Sequence, residues 1–262
     1  MRLKAACRAA LVLGLMAACA LSAEAKEAPP AAGTMDAAAV CAGGPNIAYD
    51  VQIAGCTILI QMTADTPAAK AMGLQRRAML RAQRGLSISV DAKTGVRSDP
   101  VMADLDEALR LKPDFAEALQ SRAQVRFQEG EYNGALSDYD ALIALKPREP
   151  VALSGRALFR AVANRDLDLA LADCTQALAI DRRSVAAEFS RALVWYRKGE
   201  FDKAYADFDT AYRQNHALPS ALFGRALSEL RLDRKAEAEA DMKAATAVNP
   251  AVADQFLRWN FP

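Results

Sequence analysis

Four stretches of this chain, beginning near Ala116, Pro150, Val185 and Pro219, superimpose almost without gaps. Each carries an Arg-Ala pair in its first half (Arg122-Ala123, Arg156-Ala157, Arg191-Ala192, Arg225-Ala226) and a further alanine (Ala135, Ala170, Ala204, Ala238) opening its second half. Those alanines follow one another at 35, 34 and 34 residues. Repetition at such a period means one supersecondary unit stacked on copies of itself, because a single unit cannot bury its apolar face alone. Within each half, apolar or small residues recur at helical spacing, and Gly130-Glu131 and Gly199-Glu200 divide the halves. The unit is therefore expected to be a pair of antiparallel helices. The recurring alanines let the two helices approach closely, and Tyr139, Cys174, Phe208 and Met242 are expected to fill the space between neighbouring pairs. Pro147 and Pro250 stop the second helices of their repeats, while Arg182 and His216 stand where proline is expected in the two between.

An earlier, interrupted copy is legible: Arg77-Ala78 and Gly85 fit the first half, and Asp104-Leu105, Ala108 and Pro113 fit the second. Between them lies an insertion within Leu86 to Val101; its alternation from Leu86 to Gly95 is that of a short strand, although an exposed irregular loop is the expected form. Further upstream, Asp50 to Ile60 aligns with Leu169 to Leu178 and reads as a lone second helix capping the array. At the other end, Ala251 to Phe261 is too short for a repeat but apolar enough to cover the last one, as repeat arrays require. Hydrophobic residues make up 52% of the 262 positions and aromatics only 6%, which suits a continuous core packed through small residues and disfavours an all-β fold.

A period of 34 with two helical halves and these Arg-Ala and Ala positions resembles the tetratricopeptide repeat family over about residues 45 to 250. The resemblance implies an all-α, right-handed superhelical solenoid of antiparallel helix pairs, with about five repeats plus N- and C-terminal capping helices. The expected segments are an export signal at 1–25, a flexible stretch at 26–44 and the solenoid at 45–262. Its repeats fall at about 71–113 (insertion at 86–100), 116–147, 150–182, 185–216 and 219–250, with a cap at 251–262. The Cys-Thr helix at Cys56-Thr57 and the Asp-Tyr-Asp repeats are similar to exported members from Gram-negative bacteria.

Two sets of columns follow from the repeat. The polar set pairs Arg77, Arg122, Arg156, Arg191 and Arg225 on first helices with Asp104, Asp138, Asp173, Asp207 and Asp241 on second helices. It reads as structural ion pairing rather than a ladder for acidic ligands, because the guanidinium fork matches a carboxylate and an unpaired buried member is costly. The apolar set lies at i, i+4 and i+7 on the first helices, the side that lines the ligand groove in the family. It comprises Phe127, Phe189, Leu193, Tyr196, Phe223, Leu227 and Leu230, preceded by a more polar stretch at Gln75, Gln120 and Gln124. Apolar columns with aromatic anchors suit a hydrophobic peptide or helix; the alternative is that they pack against the next hairpin or beneath the C-terminal segment. The two-carboxylate clamp of some family members is absent, since its columns hold residues such as Met72, Gln75, Ser121 and Gly155.

Arg2, Lys4 and Arg8, the apolar run Ala9 to Leu21 and Ala23-Glu24-Ala25 read as an export signal cleaved after Ala25. The run is shorter than the roughly 20 residues of a membrane span, so no transmembrane segment is expected after cleavage. Met16-Ala17-Ala18-Cys19 offers lipid anchoring at Cys19 as the alternative. A periplasmic or secreted location permits disulfides, and Cys41 and Cys56, flanking Gly43-Gly44-Pro45, are the expected pair, leaving Cys174 buried in the core. Lys and Arg total 33 against 32 Asp and Glu, which gives no field for nucleic acid. The single His216 and the lack of phosphate-loop or zinc-ligand spacings point away from catalysis, metal, cofactor or small-molecule substrate. The expected function is a non-catalytic scaffold for a protein or peptide partner; the alternative is a structural or self-associating envelope component acting through the caps, Cys41 to Cys56 and Trp259 to Phe261.

Overall fold

The computed structural model describes residues 36–44, 46–86, 89–90 and 97–261. The expected export signal at 1–25, Cys19, and most of the insertion lie outside the described residues. Two compact units divide the chain, Met1–Arg122 and Ala123–Pro262, with the boundary inside one helix.

In the first unit, α1 (Ala37–Ala42) and α2 (Tyr49–Met62) precede the interrupted repeat, formed by α3 (Pro67–Gln83) and α4 (Pro100–Leu111). The stretch expected to be flexible thus contains a helix. Asp36 caps its first turn by accepting from the Ala38 amide at 2.9 Å, and Val40 and Cys41 bury themselves against the rest of the unit. Cys41, Cys56 and Leu80 form one buried cluster, with the two sulfurs 2.09 Å apart. Arg76 from α3 donates to the Cys41 and Ala42 carbonyls at 3.3 and 2.9 Å, supplying the C-terminal acceptors of α1 with a cation. Between α3 and α4 the insertion is not wholly irregular. β1 (Ser89–Val90) pairs antiparallel with β2 (Arg97–Ser98), in register Ser89 to Ser98 and Val90 to Arg97. The alternating pattern read in the sequence is expressed as this short ribbon.

The boundary helix α5 (Ala116–Gln128) is followed in the second unit by α6 (Tyr132–Leu145), α7 (Pro150–Val162), α8 (Leu167–Ile180), α9 (Val185–Arg197), α10 (Phe201–Gln214), α11 (Pro219–Arg231), α12 (Lys235–Val248) and the short α13 (Val252–Arg258). Prolines open α3, α4, α7 and α11 at N1/N2, where a missing N–H costs nothing. Eight positions after each column arginine the first helix ends in a left-handed residue: Gly85, Gly130, Asn164, Gly199 and Asp233, with φ between 52° and 81°. Glycine enters that conformation freely and Asn or Asp tolerate it, so the turn to the second helix is made at the same place in every repeat.

Side-chain volumes are matched between neighbouring pairs. Phe208 on α10 lies where a Cβ on Gly224 of α11 would come within 2.5 Å of its ring, and Tyr139 on α6 occupies the corresponding space over Gly155 of α7. Where the second helix carries only Cys174, the first helix has Ser190 instead of glycine, and the Ser190 hydroxyl donates to the Ser154 carbonyl at 3.0 Å. Large over Gly and small over Ser keep the pairs at packing distance. Cys174 is fully buried, and burial pushes its thiol above the usual range, as it does the Tyr139 phenol, to about 12.

Candidate functional site

The arginine columns are built into the packing. Arg77 grips Asp104 through two parallel bonds of 2.9 and 2.6 Å, and Arg156 grips Asp173 in the same way at 2.9 and 2.6 Å. Arg191 holds Asp207 at 2.7 Å through both nitrogens, and Arg225 holds Asp241 at 2.6 and 2.9 Å. A second acidic column, not singled out in the sequence, completes the set. Arg122 donates to Asp106 at 2.8 Å, Arg156 to Asp140 at 2.7 Å and Arg225 to Asp209 at 2.6 Å, each on the second helix of the preceding pair. Facing Arg191 of the fourth repeat, the equivalent residue on the preceding pair is Thr175. Each such arginine is therefore spent on tying one pair to the next rather than offered to a ligand.

One turn further along each first helix lies another column missed in the sequence: Arg81, Arg126, Arg160, Trp195 and Glu229. Arg81, Arg126 and Arg160 reinforce Asp104, Asp138 and Asp173 at 2.6, 2.8 and 2.6 Å. The i, i+4 spacing to the first arginine was the available signal. In the last repeat the sign reverses. Glu229 is 2% exposed, its Oε1 lies 3.6 Å from Arg234, and its Oε2 has no hydrogen-bond partner among the described groups. Burial first, and the Asp241 charge second, raise its pKa above the ordinary 4.5. A carboxyl raised in the folded state contributes stability below its unfolded pKa, and that contribution is lost as pH rises through the folded value. Glu229→Gln is accordingly expected to be more stable than the parent by about 1 kcal/mol at pH 7.5, with the difference closing toward pH 4. Urea midpoints at the two pH values check this; a variant weaker than the parent at pH 7.5 refutes the assignment.

The apolar columns are where sequence and structure part. Phe127, expected in a ligand groove, is a core residue. Its ring stacks flat on Phe159 of α7, with centroids 3.8 Å apart and planes at 7°, and meets Tyr132 edge-on at 5.5 Å. Leu193 is fully buried, whereas Leu230 is 40% exposed. Phe189, Tyr196, Phe223 and Leu227 are 8%, 6%, 8% and 6% exposed. The first three are covered by the chain's own C-terminal segment. Phe189 meets Trp259 at 6.4 Å, Tyr196 meets Phe261 at 5.5 Å and Phe223 meets Phe256 at 5.1 Å. Within the segment, Val252, Phe256 and Phe261 are at most 2% exposed, while Leu257 faces outward at 67%. Of the alternative self-association surface, Phe261 is thus turned inward, and Trp259, half-buried, lies against Phe189 and Phe256.

Main-chain bonds accompany the rings. Arg197, the last residue of α9, donates Nη2 to the Trp259 carbonyl at 2.6 Å and Nη1 to the Asn260 carbonyl at 3.0 Å. The same guanidinium reaches the Ala161 and Val162 carbonyls at the end of α7, at 3.0 and 3.3 Å, and lies 3.8 Å over the Phe261 ring. One cation therefore serves the negative ends of two helices, α7 and α13. Burial lowers its pKa from the usual guanidinium value. Ser220 on α11 adds a bond to Gln255 Oε1 at 3.2 Å.

His216 is exposed beside the Tyr212 ring, and among the described residues no group of three His, Cys, Asp or Glu is placed to hold a metal ion. No helix among the described residues is long and apolar enough to cross a membrane.

No family model matches the chain. A TPR repeat-containing protein of Rhizobium etli is 42% identical over 62 residues, which is 23% of this chain and 30% of the relative, so the chain spans under a third of that relative's length. Among solved structures, a tetratricopeptide repeat protein from Parabacteroides merdae superimposes with a TM-score of 0.62 at 17% identity, covering 80% of this chain and 82% of that one. A thermophilic TPR protein of Thermus thermophilus gives 0.57 at 23% identity over 72% and 97% of the two chains. YrrB, described as a TPR protein with an unusual peptide-binding site, gives 0.51 at 15% identity over 78% and 97%. The 34-residue period, the paired helices that realise it and these likenesses agree, and the chain has the tetratricopeptide repeat fold.

Proposed function

We propose that this protein is a non-catalytic interaction scaffold of the bacterial cell envelope, binding a peptide or short helix of a protein partner on the face formed by α9 and α11. The observation that carries the reading is that this face already holds a short aromatic segment, through ring contacts and main-chain bonds to Arg197. Such contacts are those by which helix-in-groove recognition works. The fold is shared with a protein described as having a peptide-binding site. Export, by a signal cleaved after Ala25 or by lipid attachment at Cys19, accords with the apolar N-terminal run and with the pairing of Cys41 with Cys56, since cystines persist in oxidising compartments.

The test is capture from an envelope extract with residues 26–262 and with a Phe189→Ala/Phe223→Ala variant whose circular dichroism matches the parent. A protein retained by the parent and lost from the variant is expected; an identical set retained by both refutes the reading. Mass spectrometry of the native protein is expected to find Lys26 as first residue, or a lipidated Cys19, and an oxidised Cys41–Cys56 pair. An unprocessed N-terminus with both thiols free would remove the envelope location.

A further inference from the structure

We infer that the C-terminal segment, Val252 to Phe261, is a displaceable occupant of the binding face, and that the partner is a short helix of the same chemistry. Such a partner carries aromatic side chains spaced as Phe256, Trp259 and Phe261 and ends in open main-chain carbonyls. This rests on the scaffold reading above and adds to it the ligand class and a means of regulation.

Three observations lead here. The segment's specific polar contacts are made largely by its backbone. Arg197 bonds the carbonyls of Trp259 and Asn260 rather than any side-chain acceptor, so a foreign helix end can take the same bonds. The side chains it contributes are rings seated on rings, Phe256 on Phe223, Trp259 on Phe189 and Phe261 on Tyr196, and this chemistry is replaceable by any sequence with aromatics at the same spacing. The hinge is short and local. α12 ends at Val248 and α13 begins at Val252, so α13 can leave by rotation about three residues without unwinding a repeat.

The attachment to the array is also one-sided. Leu257 and Arg258 face outward, and α13 is only seven residues long, fewer than an isolated helix needs to persist in water. Its helical form therefore depends on the face beneath it, as a bound peptide's would. A tethered segment acts on its own site at an effective concentration on the order of millimolar, so a free partner competes against it and only a better-fitting or locally concentrated one wins.

The probe is a synthetic peptide of residues 252–261 carrying an N-terminal fluorophore, titrated by anisotropy into the full chain and into Phe256→Ala/Phe261→Ala, which loosens the resident segment while leaving the face intact. The peptide is expected to bind the loosened chain about tenfold or more tighter than the parent, and to lose that gain when Arg197→Ala is added. Equal binding to parent and loosened chain, or binding to neither while both remain helical, overturns the inference. Should the loosened variant not fold, hydrogen exchange on the parent decides. Amides of 252–261 are expected to exchange through a local opening well before those of α11 and α12. Exchange only together with α12 marks a permanent cap and overturns the inference. Peptide binding and extract capture fail separately. A permanent cap would show no peptide effect even where a partner is still captured through a surface outside the covered face; a mistaken scaffold reading would leave the peptide bound and nothing captured.

Discussion

Asp173→Asn is expected to remove about 3–5 kcal/mol of stability, the largest effect of any single polar substitution in the second unit. Asp173 is 5% exposed and receives three charged bonds: Arg156 Nε and Nη2 at 2.9 and 2.6 Å, and Arg160 Nη1 at 2.6 Å. The amide keeps the shape but turns one acceptor into a donor facing a guanidinium. It also leaves two cations, whose side chains are only 18% and 12% exposed, without their shared counter-charge. Asp140 provides the control. It bonds the same Arg156 at 2.7 Å, but its side chain is 59% exposed, so Asp140→Asn is expected to cost under about 1 kcal/mol. Urea unfolding followed by circular dichroism separates the two; equal effects would mean that the cluster's burial is not what gives it value. The loss at Asp173 is also expected to change little with added salt, because the cluster lies inside the repeat stack where mobile ions do not screen it.

What the sequence disclosed and what it hid follow from the same geometry. The repeat was legible because each copy needs the same small residue at the helix crossing and the same Arg and Asp across it, so Arg156 and Asp173 recur at their equivalents whatever surrounds them. The left-handed turn was legible at Gly130 and Gly199 but disguised at Asn164 and Asp233, which reach the same φ with a side chain attached. The reinforcing arginines at Arg81, Arg126 and Arg160 were obscured because Trp195 and Glu229 break their column. The face residues were recognisable as apolar but not as covered or open. Phe127 is absorbed by Phe159 in the next pair, and Phe189, Tyr196 and Phe223 by a segment 33 to 70 residues further along, contacts that no local periodicity encodes. Helix α1 was hidden in an alanine-rich stretch too short to be helical alone, held by the Asp36 cap and by burial of Cys41 beside Cys56.

Phe208→Ala is expected to cost about 3–5 kcal/mol, and it should reverse the sign of a second substitution. Phe208 is 1% exposed, meets Phe189 edge-on at 5.6 Å and fills the space that Gly224 leaves on α11. In the parent, Gly224→Ala puts a Cβ about an ångström inside normal contact with three atoms of that ring, and the ring cannot swing away because Phe189 stands against it. The roughly 1 kcal/mol that alanine gains over glycine in a helix interior is then outweighed by overpacking of about 1–3 kcal/mol. With Phe208 already cut to alanine the obstruction is gone. Gly224→Ala should then stabilise, because helix propensity is recovered and part of the cavity is refilled. A double-mutant cycle on urea midpoints reads this directly as a coupling of about 1–3 kcal/mol between the two positions. Additive effects would mean that α10 and α11 are not packed through this pair, and that glycine at 224 serves some purpose other than admitting the ring. The same logic at Tyr139 and Gly155 predicts the same reversal.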